Sequence, residues 1–479
     1  MSRPATPAVL IARLIAGALL AAALIVPPGC GAQGASRTNV VLIVLDTLRT
    51  DHMSAYGYRW PTTPNLDALA ARGARFADCT SQAAWTGPSM ISLMTGLPIF
   101  NTLMHVPAEF PVLAEPFQRA GWRTGAAVAN SVLSDEHGFA RGFDDFSARA
   151  VATEQWTAAD VNRHALEFLD QDDGRPFFLW LHYLDTHHPY TPPDRPWKRS
   201  PKEIFTPWEL ETIDAIIKAA PDGERARLYT QIDELADEVD RYDAELHWLD
   251  ARLGELFADL ERRGLLDQTI VVVAADHGET LFRRPEHPDH LANTRQWKEE
   301  HGVALELADY VKREHHSYTY QELIHVPLIV AGPGIPAGQT IESLVSNLDV
   351  RPTLIGLAGL PVPETRGRDL SPALRAGGPV APDAWVTSCA YDTVSARLPD
   401  GRKYVVPAEK LVRREGAKPL LYSLPDDPDE RRPQTLDLQT DAIVKKLYGE
   451  WGDDPFSEWL GSESTPKDIE TLRELGYVR

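Results

Sequence analysis

With 479 residues, 43% hydrophobic and 24% charged, the chain has the composition of an ordinary globule and the length for one large α/β unit with an appendage, or for two domains. Disordered and collagen-like chains are excluded. The formal net charge of −21 has no long basic block within it, which argues against nucleic-acid binding; an anionic substrate would need positive charge inside its own site, from a metal, His, Lys or Arg.

In chain order, Arg3 and Arg13 precede an apolar run from Leu14 to Val26 and then Pro-Pro-Gly-Cys-Gly-Ala. Residues 1–30 therefore read as a secretory signal peptide and 31–38 as a linker, so the chain is expected to be exported to the cell envelope, periplasm or exterior. A spanning anchor wants about 20 apolar residues, and this run is shorter and ends in two prolines. Cys30 follows Gly29 as a lipidated cysteine does, but Pro27 and Pro28 are foreign to such signals; lipidation and simple cleavage both stay open, and a lipid anchor is the only membrane contact expected. Cys79 and Cys389 are too few for a disulfide framework and read as buried thiols.

Val40 to Leu45 is an unbroken Val/Leu/Ile run ending in Asp46, as expected of a parallel strand buried on both faces. Thr63-Pro64-Asn65 opens a helix with Leu66, Leu69 and Ala70 on one face, closed by Gly73. Further strand-like runs occur at Ala126 to Ala129, Phe177 to Leu181, Ile270 to Ala274 and Val326 to Ala331, with a long amphipathic helical pattern over Arg225 to Arg263. This alternation predicts a wound α/β sheet with its chemistry at the carboxyl ends of the strands. Residues 282–314 form a polar, His-rich insertion without periodicity in a main domain over 39–382. From 383 to 479 the pattern shifts to short strands with a turn at Asp400-Gly401, then a helix.

Two buried strands end in aspartate, at Asp46 and at Asp276, the latter followed by His277-Gly278-Glu279. Each carboxylate alone could cap a helix. Two of them beside a histidine, on strands that could be neighbours, suit a metal site because a buried carboxylate is costly without a cation. Thr86 opens the segment Thr86-Gly-Pro-Ser-Met-Ile-Ser-Leu-Met-Thr-Gly96 at a helix N-cap position. A cap explains it, and so does a nucleophilic hydroxyl placed where a helix N-terminus favours an anion.

These blocks, in this order, resemble the sulfatase family of the alkaline-phosphatase superfamily over nearly the whole mature length. The resemblance rests on Val44-Leu-Asp46-Thr-Leu-Arg49-Thr-Asp-His52, Tyr56-Gly-Tyr58, Thr62-Thr-Pro-Asn-Leu-Asp67, the Thr86 to Gly96 segment and Leu181-His-Tyr-Leu-Asp185-Thr-His187-His-Pro-Tyr190. Asp276-His-Gly-Glu279, Tyr320 to Leu328, Asp426-Asp-Pro-Asp-Glu430 and Leu475-Gly-Tyr-Val478 continue it. It implies a large, mixed, mainly parallel sheet flanked by helices, a small antiparallel C-terminal α+β subdomain and one divalent metal ion. By matching position, Asp46, Asp276 and His277 would hold the metal, with Thr86 as nucleophile and further ligand. His187 would bind substrate and serve catalysis, Arg49 would bind substrate, and His315 or His316 would stand where the family has a Lys or His.

The chain departs from many sulfatases at Thr47, Thr86 and Met90, where they carry a second Asp, the Cys converted to formylglycine, and an Arg. No formylglycine is expected. Without its geminal hydroxyl, an ester on Thr86 must be opened by water, which suits phosphorus better than sulfur. The expectation is a hydrolase of sulfuric or phosphoric esters acting on a sulfated or phosphorylated small molecule, glycan or lipid head group. The alternatives are an envelope phospho-group transferase and a lapsed member that only binds anionic glycans. A ligand set with His277 tilts from calcium toward manganese or zinc. His287, His290 and His301 of the insertion read as a solvated loop rather than a second metal site.

Overall fold

The computed structural model describes residues 38–98, 105–149, 156–312, 315–383, 385–407, 416–437 and 440–452. The signal segment with Cys30 and the closing Leu475 to Val478 lie outside them. The described residues, all from Thr38 onward, belong to one compact unit.

Its strands, in chain order, are β1 (Asn39–Leu45), β2 (Gly73–Thr80), β3 (Arg123–Val128), β4 (Asp145–Ala148), β5 (Phe177–Tyr183), β6 (Thr269–Ala275), the short β7 (Arg284–Pro285) and β8 (Val311–Lys312), β9 (His325–Ala331), β10 (Gln339–Ile341) and β11 (Val345–Ser346). Nine of them make one sheet, ordered β10-β2-β9-β6-β1-β5-β3-β4, with β11 also on β2. Only β9 is antiparallel to its neighbours, β2 and β6, among the described pairs. The expected mixed, mainly parallel sheet is present. A second sheet, all antiparallel, follows: β12 (Val386–Cys389), β13 (Thr393–Arg397), β14 (Arg402–Pro407), β15 (Leu420–Ser423) and β16 (Gln434–Thr435). Asp400-Gly401 is the turn between β13 and β14, with Gly401 at φ +83° where only glycine is unstrained.

The central strands are sheathed on both faces by helices. Among these are α1 (Pro64–Ala71), α2 (Thr86–Thr95), α3 (Ala158–Asp170) and α4 (Ile232–Arg262). In α4, Leu235, Val239, Leu246, Leu249, Leu253, Leu256 and Leu260 are buried at helical spacing, as their periodicity predicts. The single helical pattern read from Arg225 is in fact two helices, because the chain breaks at Gln231. The first turn of α1 is capped from across the interface: both Asp250 oxygens, on α4, accept the Asn65 and Leu66 N–H groups at 2.9 Å. The insertion contains a helix, α5 (Pro288–Glu300), that the sequence pattern did not announce. Its hydrophobic side chains are few, so no apolar stripe marks it. A last helix, α6 (Ala442–Gly452), follows the second sheet. No described helix is long and apolar enough to cross a membrane. Cys79 and Cys389 are both buried free thiols.

Gly73 differs from its reading as a helix terminator. It opens β2, and a β-carbon there would stand 2.2 Å from the Val330 carbonyl oxygen and 2.6 Å from the Ala331 Cα of β9. The residue allows two antiparallel backbones to close. Gly73→Ala should therefore lower stability by about 1–3 kcal/mol through overpacking, seen as a lower denaturation midpoint at constant slope; an unchanged midpoint would show that the strands part at no cost.

Candidate active site

β1 and β6 pair in parallel with Leu45 beside Ala275, so the next residue of each chain, Asp46 and Asp276, emerges at the same end of adjacent strands. Both carboxylates are 0% exposed. Burial comes first in pushing Asp46 up to about 6, with the Asp276 charge adding to it, and burial likewise pushes Asp276 up to about 7. His277 completes the group. Ligand atoms of Asp46, Asp276 and His277 lie within 4.8 Å of one another and could hold a metal ion.

The orientation of each ligand is held from outside. The Thr47 and His277 N–H groups donate to Asp276 Oδ1 at 3.2 and 2.8 Å, and the Asn130 amide donates to Asp46 Oδ2 at 2.9 Å. That leaves Asp46 Oδ1 and Asp276 Oδ2 without a hydrogen-bond partner among the described residues. His277 Nδ1 lies 2.9 Å from the Gly278 carbonyl, which makes Nδ1 the protonated nitrogen and leaves the Nε2 lone pair for the centre. Nε2 stands 3.4 Å from Asp276 Oδ2 and 3.9 Å from Asp46 Oδ1. Two orphaned oxygens and one imidazole lone pair, all buried, suit a divalent cation in chemistry and in spacing.

Thr86 is the first residue of α2, after Trp85. Its Oγ1 lies 3.4 Å from Asp46 Oδ2, to which it donates, and 3.2 Å from His277 Nε2. The helix behind it is anchored by Ser89, whose hydroxyl donates to the Asp276 carbonyl at 2.6 Å, and ends at Gly96 with φ +74°. Thr47 adopts φ +54°, a strained value for a β-branched residue. Its hydroxyl donates to the Thr186 carbonyl at 2.6 Å, so it offers the site an N–H and no oxygen ligand. Met90 is fully buried in the core.

The histidines separate into near and far. The His315 ring centroid is 4.3 Å from His277 and 5.5 Å from His187, and its Nδ1 is 3.1 Å from Glu279 Oε2. The His316 ring lies behind it, tilted by 38° with its centroid at 4.2 Å, toward Tyr391, at φ +97°. Burial, then the neighbouring imidazoles, hold both well below the usual histidine pKa. Sequence matching left the choice open; the structure sets His315 against the metal-ligand group and His316 one ring away.

Arg49 is held by its neighbours. Its Nε and Nη2 bind the two Asp51 oxygens at 2.9 and 2.7 Å, and its Nη1 donates to the Glu279 and Thr280 carbonyls at 3.0 and 3.1 Å. The guanidinium thereby ties the loop after β1 to the loop after β6. Two residues that touch Asp46 were missed. Asn130 follows directly on the buried run ending at Ala129, the same signal that marks Asp46 and Asp276. His182 sits inside the apolar run of β5 and was passed over as strand.

The Sulfatase family profile matches residues 38–360. The chain belongs to the sulfatase family. That places it among the ester hydrolases. Curated relatives include an N-acetylglucosamine-6-O-sulfatase of Bacteroides thetaiotaomicron, 24% identical with 79% of this chain and 76% of the relative covered, and a choline-sulfatase of Rhizobium meliloti, 25% identical with 69% of each covered. Among solved structures, the phosphonate monoester hydrolase of Agrobacterium radiobacter superposes with a TM-score of 0.60 at 20% identity, covering 88% of this chain and 96% of that one. A structure solved with its substrate D-glucosamine-2-N,6-O-disulfate superposes at 0.59, also at 20% identity, covering 92% and 98%.

The raised carboxylates give a stability test. An acid whose folded pKa lies above its unfolded value near 3.9 binds more protons when folded, so its ionisation costs stability as pH rises through the folded pKa. In chelator, Asp276→Asn should be more stable than wild type at pH 8 by on the order of 2–4 kcal/mol. That gap should close as pH falls from about 7 toward about 4, read from thermal unfolding against pH. A pH-independent gap would show that Asp276 does not carry the charge cost.

Proposed function

We propose that the chain is a metal-dependent hydrolase of anionic esters that uses Thr86 as nucleophile and favours phosphoric over sulfuric esters. The observation that carries this is the place of Thr86 Oγ1, 3.4 Å from Asp46 Oδ2 and 3.2 Å from His277 Nε2, at the N-terminus of a buried helix. A divalent cation on Asp46, Asp276 and His277 would lower the hydroxyl pKa and neutralise the ester's non-bridging oxygens; the imidazole ligand favours manganese or zinc over calcium.

In the first step Thr86 Oγ1 attacks phosphorus and its proton passes to Asp46 Oδ2, while the bond from phosphorus to the alkoxide breaks and His187 gives that oxygen a proton. In the second, water attacks phosphorus, its proton returns to His187, the bond to Oγ1 breaks, and Thr86 recovers the proton held by Asp46. The helix N-terminus stabilises the anion throughout. The neutral His315, close to His187 and His277, donates a hydrogen bond to a non-bridging oxygen. Such an ester would be a sulfated or phosphorylated small molecule, glycan or head group met outside the cytoplasm, in keeping with the reading of residues 1–30 as a secretory signal.

Turnover of aryl phosphate, aryl phosphodiester and aryl sulfate by the metal-loaded protein, with Thr86→Ala as blank, tests this. Phosphoester turnover lost at least about 100-fold in Thr86→Ala and retained in Thr86→Ser is expected. A fully active Thr86→Ala protein would remove Thr86 from the chemistry, and turnover of the sulfate alone would refute the preference for phosphorus.

A further inference from the structure

His182 is the last inward-facing residue of its face of β5. The parallel register sets Val44 beside His182, and because side chains alternate along a strand, Val44, Asp46 and His182 turn to the same face of the sheet. On β5 that face also carries Phe178 and Trp180, both fully buried. An apolar residue would continue this pattern; instead an imidazole is 0% exposed, and neither ring nitrogen has a hydrogen-bond partner among the described residues. Its Nε2 stands 3.8 Å from Asp46 Oδ2, the oxygen that already accepts the Asn130 amide and the Thr86 hydroxyl, while Oδ1 is the orphaned one. A buried unpaired imidazole is unfavourable in a core and persists where a second state of the site gives it a partner.

We propose that His182 is a positioning residue for the metal centre: its Nε2–H and the Asn130 amide hold Asp46 Oδ2, leaving Oδ1 for the cation. The backbone around the pair is held by ladder bonds, Ala129 N–H to the His182 carbonyl at 3.0 Å and Asp46 N–H to the Tyr183 carbonyl at 3.0 Å. The inference rests on the metal reading above.

Calorimetric titration of the metal-stripped full chain with manganese or zinc, beside thermal unfolding in chelator, tests it. His182→Leu should bind the cation about ten- to a hundredfold more weakly than wild type, with a chelator-treated Tm equal to or above it, and His182→Gln, whose amide reaches the same place, should recover most of the affinity. Equal affinity in His182→Leu overturns the proposal, as does an affinity loss that travels with a lower Tm in chelator and is not recovered by glutamine, since that marks a packing role. Should His182→Leu fail to fold, imidazole nitrogen-15 spectra of the metal-loaded wild type, assigned through His182→Gln, decide: an Nε2–H tautomer supports it and an Nδ1–H tautomer overturns it. A wild type that binds no cation fails the metal reading itself, whereas cation binding indifferent to His182 fails only this inference.

Discussion

The in-register parallel pairing of β1 with β6 is the constraint on which the rest depends. It forces Asp46 and Asp276 out at one end of the sheet, side by side and fully buried, where burial raises the cost of each charge and Asp276 adds to that of Asp46. Everything packed above them answers that cost. α2 brings its N-terminus and the Thr86 hydroxyl, Asn130 comes from the tip of β3, and His277 turns its bare nitrogen inward because Gly278 holds the other. Gly278 is itself required: a β-carbon there would stand 2.0 Å from the Glu322 carbonyl oxygen, so the strand-tip turn and the segment before β9 can only meet through glycine.

Such a crowded edge needs its irregular loops held, and buried ion pairs do this. Tyr242 on α4 donates to the Thr47 carbonyl and accepts the Arg49 N–H, both at 3.0 Å, clamping the strained turn at Thr47. His52 and Arg199 converge on Asp243 at 2.6 Å each, joining the loop after β1 to the excursion after β5. Arg284 holds Glu322 at 2.7 Å; burial would raise that carboxyl, but the guanidinium brings it down to about 2. Glu430, in the second sheet's closing turn, pairs with buried Lys403 at 2.6 Å and accepts the Gln321 N–H at 2.6 Å, so the C-terminal sheet is tied to the same segment. Breaking one member of such a pair leaves a buried charge alone, which is why these contacts constrain geometry more than they add net stability.

Residues whose signal is local were legible in the sequence. The runs that became β1, β5, β6 and β9 are buried on both faces and read as strands because nothing interrupts them, and Asp46 and Asp276 stood out as charges at their ends. β2 was missed, since Gly73-Ala-Arg-Phe-Ala-Asp-Cys-Thr80 is neither continuous nor cleanly alternating and gains its place by pairing with β9 and with β10. α5 carries too few apolar residues to show a period. Arg49 shows that a motif gives a position but no direction: its side chain turns to the nearby Asp51 and to the Glu279 and Thr280 carbonyls, about 230 residues away, which no local pattern reveals. His182 was invisible for the opposite reason, being one polar residue in a run that scores as strand.

The charges at the site explain why a cation and an anionic ester would have to arrive in order. Asp46, Asp276 and Glu279 are buried acids, while His277, His315 and His316 are all held below the ordinary imidazole pKa by burial, and so are neutral at neutral pH. Arg49 is committed elsewhere. On a chain of net charge −21, this cluster would repel a sulfate or phosphate ester rather than gather it. A divalent cation on the two orphaned carboxylate oxygens reverses the local sign. The same two carboxylates take up protons at about 6 and about 7, so acid competes with the cation for the oxygens that the ester indirectly needs. Anion capture would thus follow cation capture in this fold, and both would depend on how closely two strand tips are held together.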